Sequence, residues 1–236
     1  MWNTRIIKIA YVFLVSLFLA ATQVVYAEFI FERDVPIPMR DGTKLTANIF
    51  RPEEEGQYPV ILMRSPYGKP DEKSGDGRRY TDAGYVMVVQ DCRGRGNSEG
   101  VWDPFAYDVQ DGLDTQQWVG SQPWCNGTIG TAGGSYLGWT QWASAPGATE
   151  FLKCAVPVVP FENGYQDVAY VGGALQLSLV MGWGSYVGGA NLTPEALQDS
   201  FNHLPLNTYG NQFEKPIPYL NDWVIHSTYD DYWKQR

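Results

Sequence analysis

The chain has 236 residues, a formal net charge of −9, 14% aromatic residues and 18% charged residues. That length can bury a sizeable core. The acidic balance, with no basic run, excludes nucleic acid and anionic lipid as expected partners, because phosphates require clustered Lys and Arg.

The first 27 residues read as a targeting segment, not as fold. Arg5 and Lys8 form a positive start, "IAYVFLVSLFLAATQVV" is a continuous apolar run, and Val25-Tyr26-Ala27 places small residues where a signal peptidase cuts. Cleavage before Glu28 would export the protein to a periplasmic or extracellular location and leave no stable membrane insertion. The alternative is an uncleaved anchor, since the apolar run approaches the length of a short span. Cleavage removes two positive charges and no negative ones, taking the net charge from −9 to −11. Cys92, Cys125 and Cys154 leave at least one thiol unpaired and allow one unassigned disulfide. No CxxC or His-rich spacing suggests a metal, and no cofactor is expected.

In chain order, "FIFERDVPIPMRDGTKLTANIFRP" alternates apolar and polar residues on both sides of Arg40-Asp41-Gly42, which predicts a hairpin. "YPVILMRSPYGK" is a buried strand running into a loop, and "DEKSGDGRR" is expected as a charged loop. A second buried strand follows from about Tyr85 to Asp91, then the glycine-rich turn of "DCRGRGNSEG". Helical spacing of Tyr107, Asp111, Asp114 and Trp118 predicts a helix ending near Gly120. "TIGTAGG" is a short strand, "SYLGWTQWASA" a helix, and "LKCAVPVVP" a further buried strand ended by Pro160. Strands alternating with helices after a hairpin predict an α/β fold with a mostly parallel sheet. After Pro160 the chain becomes Gly-rich and aromatic without period-two alternation, as expected of a helical cap. Within it, Thr193 before Pro194 and Glu195 marks a helix start.

Ser135 lies between a predicted strand and a predicted helix, with Gly133, Gly134 and Gly138 around it. Such a turn is strained and needs small neighbours. It is the setting of a nucleophile elbow, which lifts a serine hydroxyl clear of a sheet. The usual five-residue pattern places glycine two residues after the serine. Here Leu137 holds that place, and the glycine is Gly138.

"GGSYLG" resembles the Gly-x-Ser-Tyr-x-Gly elbow of the Xaa-Pro dipeptidyl-peptidase and cocaine-esterase-like (CocE/NonD) serine hydrolases. Four more segments agree in order and spacing: "VPIPMRDGTKLTANIFRP", "VILMRSPYGK", "DCRGRGNSEG" and "DGLDTQQWVGSQPWCNGTIG". "VGGALQLSLVMGWGSYVGG" and "HSTYDDYWK" are similar to that family's cap, so the resemblance covers nearly all of residues 30–236. It implies an α/β-hydrolase core over residues 28–160 and a cap over 161–236. It implies Ser135 as the acylated nucleophile, with the Tyr67 phenol and the Tyr136 backbone N–H as oxyanion donors. Asp91 and Arg93 are expected to brace loops. The implied substrate is a small ester, amide or short peptide. Glu162 and Asp167, after the strand that follows the elbow, could meet a substrate ammonium.

A serine nucleophile needs a base and an orienting carboxylate. Only His203 and His226 exist, both in the predicted cap and off the family's catalytic histidine loop. The expectation is therefore an N-terminal portion of a longer serine hydrolase, with its Asp and His beyond Arg236. The alternatives are a scaffold that holds an apolar ligand without turning it over, or an inactive truncated product.

Overall fold

The computed structural model describes residues 28–236; the targeting segment read at residues 1–27 lies outside them. Among the described residues, no helix is long and apolar enough to cross a membrane. Six strands form one sheet in the order β1-β2-β4-β3-β5-β6. They are β1 (Phe29–Pro38), β2 (Lys44–Pro52), β3 (Tyr58–Ser65), β4 (Val86–Asp91), β5 (Cys125–Gly134) and β6 (Leu152–Val158). β1, β2 and β4 pair antiparallel, whereas β4, β3, β5 and β6 run parallel. The predicted α/β class is the observed one, and the Asp41-Gly42 hairpin joins β1 to β2 where the alternation placed it.

The sheet is filled on both faces because its strands alternate. In β4, Val86 and Val88 join Leu45, Ala47, Ile49, Val60, Leu62 and Ile129 on one face. Met87 and Val89 join Phe50 on the other. Helix α1 (Gly75–Asp82) covers the Phe50 face, and a Cβ on Gly77 would stand 2.1 Å from the Phe50 ring. This corrects the expectation of a loop over "DEKSGDGRR". Ser74 caps the helix by accepting from the Asp76 N–H, and Asp76 suits the positive helix start. Asp76, Arg78 and Arg79 of that stretch thus belong to a helix with one buried edge, while Asp71, Glu72 and Lys73 precede it.

Helix α2 (Asp108–Gly120) and helix α3 (Tyr136–Ser144) pack together, with a Cβ on Gly112 placed 2.7 Å from the Ser144 Cβ. β6 is a second correction. It was expected buried, but Val156 and Val158 are more than half exposed, because β6 is the edge of the sheet among the described residues. All three cysteines are free; Cys92 and Cys125 are buried and Cys154 is exposed.

No strand follows β6 among the described residues. The chain instead forms short helical pieces, as the sequence predicted: a π-helical turn at Gly164–Ala169, a π-helical stretch at Leu179–Trp183 leading into α4 (Gly184–Val187), then α5 (Pro194–Ser200), α6 (Pro218–Ile225) and α7 (Asp231–Lys234). Thr193 caps α5 through the Ala196 N–H. These pieces share a second core of Val180, Met181, Tyr209, Leu220, Trp223 and Trp233, which is continuous with Phe105, Tyr136 and Trp139.

Two buried cations tie the loops to the sheet. Arg93 reaches Asp111 at 3.0 and 2.5 Å and Asp41 at 2.8 Å, joining the β1–β2 hairpin to α2. Lys69 pairs with Asp91 and, at 3.0 Å, with Asp34. Asp91 and Arg93 thus brace loops. Removing one partner of a buried pair leaves the other charge uncompensated, at a cost of about 3 kcal/mol or more. Arg93→Met should lower the urea midpoint accordingly, whereas Arg40→Met, whose side chain is more than half exposed in its pair with Asp114, should shift it much less; equal midpoints for the two variants would refute the bracing role.

Candidate active site

Ser135 follows β5 directly and precedes α3, with φ 56° and ψ −122°. A non-glycine residue there stores strain and persists only if its surroundings over-determine it. They do. The Ser135 N–H donates to the Val158 carbonyl on β6 at 3.0 Å, and its own carbonyl accepts from Gly138 and Trp139 at 2.8 and 3.0 Å. The residue itself is exposed.

The glycines explain the departure from the usual elbow pattern. Gly133 has φ 137°, and a Cβ there would lie 2.4 Å from the Leu137 Cβ. The positions two before and two after the serine face each other, so a glycine at the first leaves room for a leucine at the second. Gly138 then serves a different approach: a Cβ there already stands 3.2 Å from Pro160, at the end of β6.

Beneath the turn lies a buried polar cluster that the sequence did not reveal. Asp108 Oδ2 accepts from the Tyr136 hydroxyl at 2.5 Å and from Trp139 Nε1 at 3.1 Å. Arg64 donates to the Asp108 carbonyl at 2.8 Å, to Gln90 at 2.9 Å and stands 3.5 Å from Asp108 Oδ1. The Phe105 N–H donates to the Tyr136 oxygen at 2.9 Å. Burial pushes the Asp108 carboxyl above its ordinary range, with Arg64 opposing that shift. Burial, then the neighbouring Asp108, pushes the Tyr136 phenol well above its usual value. The Tyr136 side chain is thus a structural anchor. Its backbone N–H, at the first position of α3, has no acceptor inside the helix and belongs to the positive helix end.

Ser135 opens onto a cleft of about 1060 Å³. The α3 side chains Trp139 and Trp142 form one wall, and Phe161, Leu179 and Trp183 of the cap form another. Glu162 and Asp167 line the same cleft, so the structure brings both predicted carboxylates to the serine's cavity. Asp167 Oδ2 accepts from the backbone N–H groups of Glu162 and Asn163, both at 2.9 Å, whereas no such bond engages the exposed Glu162 side chain among the described contacts. Tyr67 is not among the residues that line this cleft; it meets one of them, its hydroxyl accepting from Trp183 Nε1 at 3.2 Å.

The two histidines stand apart from this cleft. His203 bonds Thr208 at 3.0 Å beside a separate hollow bounded by Asp199 and Tyr209. His226 meets Asp230 at 2.7 Å and stacks on Tyr232 at 4.3 Å. Neither lines the cavity of Ser135. No group of three or more His, Cys, Asp or Glu able to hold a metal occurs among the described residues.

Residues 41–236 match the family model of the X-Pro dipeptidyl-peptidases (S15 family). The chain belongs to that family. Over 226 residues this S15-family chain is 37% identical to cocaine esterase from Rhodococcus sp. (strain MB1 Bresler), covering 85% of the chain and 39% of that protein. Its fold resembles a CocE/NonD family hydrolase from Staphylococcus aureus, with a TM-score of 0.71 and 28% identity over 89% of this chain and 38% of the other. It also resembles an α-amino acid ester hydrolase, with a TM-score of 0.70 and 25% identity over 89% of this chain and 40% of the other. The S15-family chain therefore spans about two fifths of the length of these relatives. Family and relatives are hydrolases, and the mostly parallel sheet with its helices is an α/β-hydrolase fold like that of the solved neighbours.

The elbow geometry separates two adjacent glycines. Gly133→Ala should destabilise the protein by about 3 kcal/mol, since it meets both the disfavoured φ and the Leu137 contact. Gly134→Ala, whose Cβ would have 3.5 Å to its nearest neighbour, should cost under ~1 kcal/mol. Thermal unfolding of the two variants gives the comparison, and equal losses would contradict the assigned packing.

Proposed function

We propose that this protein is a serine hydrolase that cleaves an ester or amide through an acyl-Ser135 intermediate. The observation that carries the proposal is the strained backbone of Ser135 at the carboxyl end of a parallel strand, with the residue exposed to a cleft. A serine is held at φ 56° for a use that a relaxed turn would not serve.

In this reading the Ser135 hydroxyl attacks the substrate carbonyl. The oxyanion forms beside the Tyr136 N–H at the start of α3 and the Tyr67 phenol, which is linked to the cleft wall through Trp183. Each donor contributes about 3 kcal/mol in the transition state when aimed at the developing charge. The base that accepts the serine proton is assigned to neither His203 nor His226, both of which lie off the cleft. Because the relatives are more than twice as long, the base and its carboxylate are proposed to come from the part of the family's length that this sequence does not align with. The hydrophobic segment ending at Ala27 supports export of the protein.

The cleft walls favour a bulky apolar acyl group, since three tryptophans and Phe161 line them. Glu162 and Asp167 on the same wall support a second element of selectivity, an ammonium on the acyl side. The likeness to an α-amino acid ester hydrolase agrees with that element.

A fluorophosphonate probe should label Ser135 in the full-length protein, and Ser135→Ala should abolish both labelling and p-nitrophenyl ester turnover. Tyr67→Phe should lower kcat about 100-fold with little change in KM, because its bond forms chiefly in the transition state. Binding of an apolar ligand with neither labelling nor turnover in the full-length protein would instead assign a ligand-holding scaffold. For the carboxylates, α-amino esters should be hydrolysed faster than their des-amino analogues, and Glu162→Gln with Asp167→Asn should remove the difference. Equal rates for both ester types in the unmodified protein would eliminate the ammonium site.

A further inference from the structure

Tyr67 is 42% exposed, so its own burial does not fix the phenol. On the core side, only its backbone is held, by the Tyr67 N–H donating to Ser65 Oγ at 3.0 Å. The contact that fixes the ring comes from the cap. Trp183 Nε1 donates to the Tyr67 oxygen at 3.2 Å, across 116 residues of sequence. Trp183 is held in turn: its ring stacks near-parallel on Phe105 and on Trp223, both at 6.3 Å, and on Tyr136 at 6.0 Å. It closes the π-helical stretch Leu179–Trp183 and lines the cleft of Ser135. Widened helical turns of this kind occur often at functional sites.

A second link joins the same two segments. Arg95 donates through Nε to the Pro66 carbonyl at 2.8 Å and through Nη1 to the Val187 carbonyl at 2.5 Å. Pro66 immediately precedes Tyr67, and Val187 lies four residues after Trp183. One guanidinium therefore spans the loop that carries the phenol and the helix that carries the indole.

We propose that Trp183 is a positioning residue for the oxyanion site, and that the cap segment 179–187 sets the catalytic geometry of Tyr67. This rests on the reading of Tyr67 as an oxyanion donor. The physical basis is a division of labour on one oxygen. An indole N–H is a donor only, so it must occupy a lone pair of the phenol oxygen. The phenol hydrogen is then left to point elsewhere, and chains of such bonds strengthen one another inside a protein. An acyl group that fills the cleft presses on Trp183, so the fit of the substrate is felt at the oxyanion donor without a direct contact to it.

The test uses the full-length protein and removes the indole N–H, with and without the bicyclic shape. Trp183→Phe keeps an aromatic ring; replacement of Trp183 by β-(3-benzothienyl)alanine keeps the bicyclic shape and lacks the N–H. For a p-nitrophenyl ester, either change should lower kcat about tenfold, with KM within about twofold. Affinity for an alkylboronic acid, which forms a tetrahedral adduct on the serine, should fall by a similar factor, while affinity for the product carboxylic acid stays unchanged. In a Tyr67→Phe background the Trp183 change should have no further effect on kcat, because the oxygen it positions is gone.

The outcomes separate the two readings. If Tyr67→Phe alone leaves kcat unaltered, the oxyanion reading of Tyr67 fails. If Tyr67→Phe slows the reaction but the benzothienyl variant matches the unmodified protein, or if the two losses multiply, the positioning role is overturned. Should Trp183→Phe fail to fold, the benzothienyl variant decides alone.

Discussion

The site depends on one buried carboxylate. Asp108 begins α2, yet its side chain serves α3: Tyr136 and Trp139, the first and fourth residues of that helix, both donate to the same oxygen. Arg64 of β3 braces Asp108 from the sheet side through its backbone carbonyl and its other carboxylate oxygen. A strained Ser135 would otherwise relax by shifting the start of α3, which costs only a few backbone rotations. Pinning that first turn to α2 and to the sheet removes the route. A buried ion pair of this kind adds little net stability against an apolar replacement. Here it specifies where a helix begins to within a hydrogen-bond length, and that precision is what holds the strained turn at Ser135.

Much of the frame was legible because it is written in short-range patterns. The Asp41-Gly42 hairpin, the apolar runs of β3 and β4, and the glycines around Ser135 each declare themselves within a dozen residues. Helix α1 was misread because its charge masked a local signal, the Ser74 cap followed by Asp76. The burial of β6 was misread for a different reason. A strand's composition states what it can pack against, not what is present to pack against it. The Asp108 cluster was hidden because its members come from β3, α2 and α3, and nothing in the spacing of Arg64, Asp108 and Tyr136 announces their meeting. Tyr136 illustrates the limit. Its backbone N–H follows from the elbow, but its side chain looks like any core aromatic until Asp108 is placed beside it. Trp183 was absent from the expectations on the same ground, since its partner Tyr67 lies 116 residues away.

The cleft is built across the boundary between two cores. Its floor belongs to α3, fixed to the sheet; its far wall belongs to short helices that cohere through their own aromatic cluster. These walls answer to different constraints. Substitutions at Trp139 disturb the Asp108 cluster and hence the elbow. Substitutions at Leu179 reshape the cavity without touching that cluster, whereas Phe161 stacks on Trp139 and belongs with α3 in this respect. In the proposed reaction, acyl selectivity would then vary with the helical region while the serine chemistry stays with the sheet, as expected where a site is carried by elements of unequal rigidity.

That separation is not complete: beside the shared aromatic core, Arg95 bridges Pro66 and Val187, and Trp183 meets Tyr67. Both end on the loop after β3. The elbow itself receives no polar side chain from the cap among the described residues; its bonds run to β6, to α3 and to the Asp108 cluster. Of the two proposed oxyanion donors, then, the Tyr136 N–H is fixed by the core and the Tyr67 phenol by the cap. In the proposed reaction a substrate that moves Trp183 acts directly on the Tyr67 phenol, whereas Tyr136, although Trp183 also stacks on it, is tied to Asp108 as well. The transition state alone requires both, so the arrangement makes rate, more than binding, the quantity that responds to how well an acyl group fits.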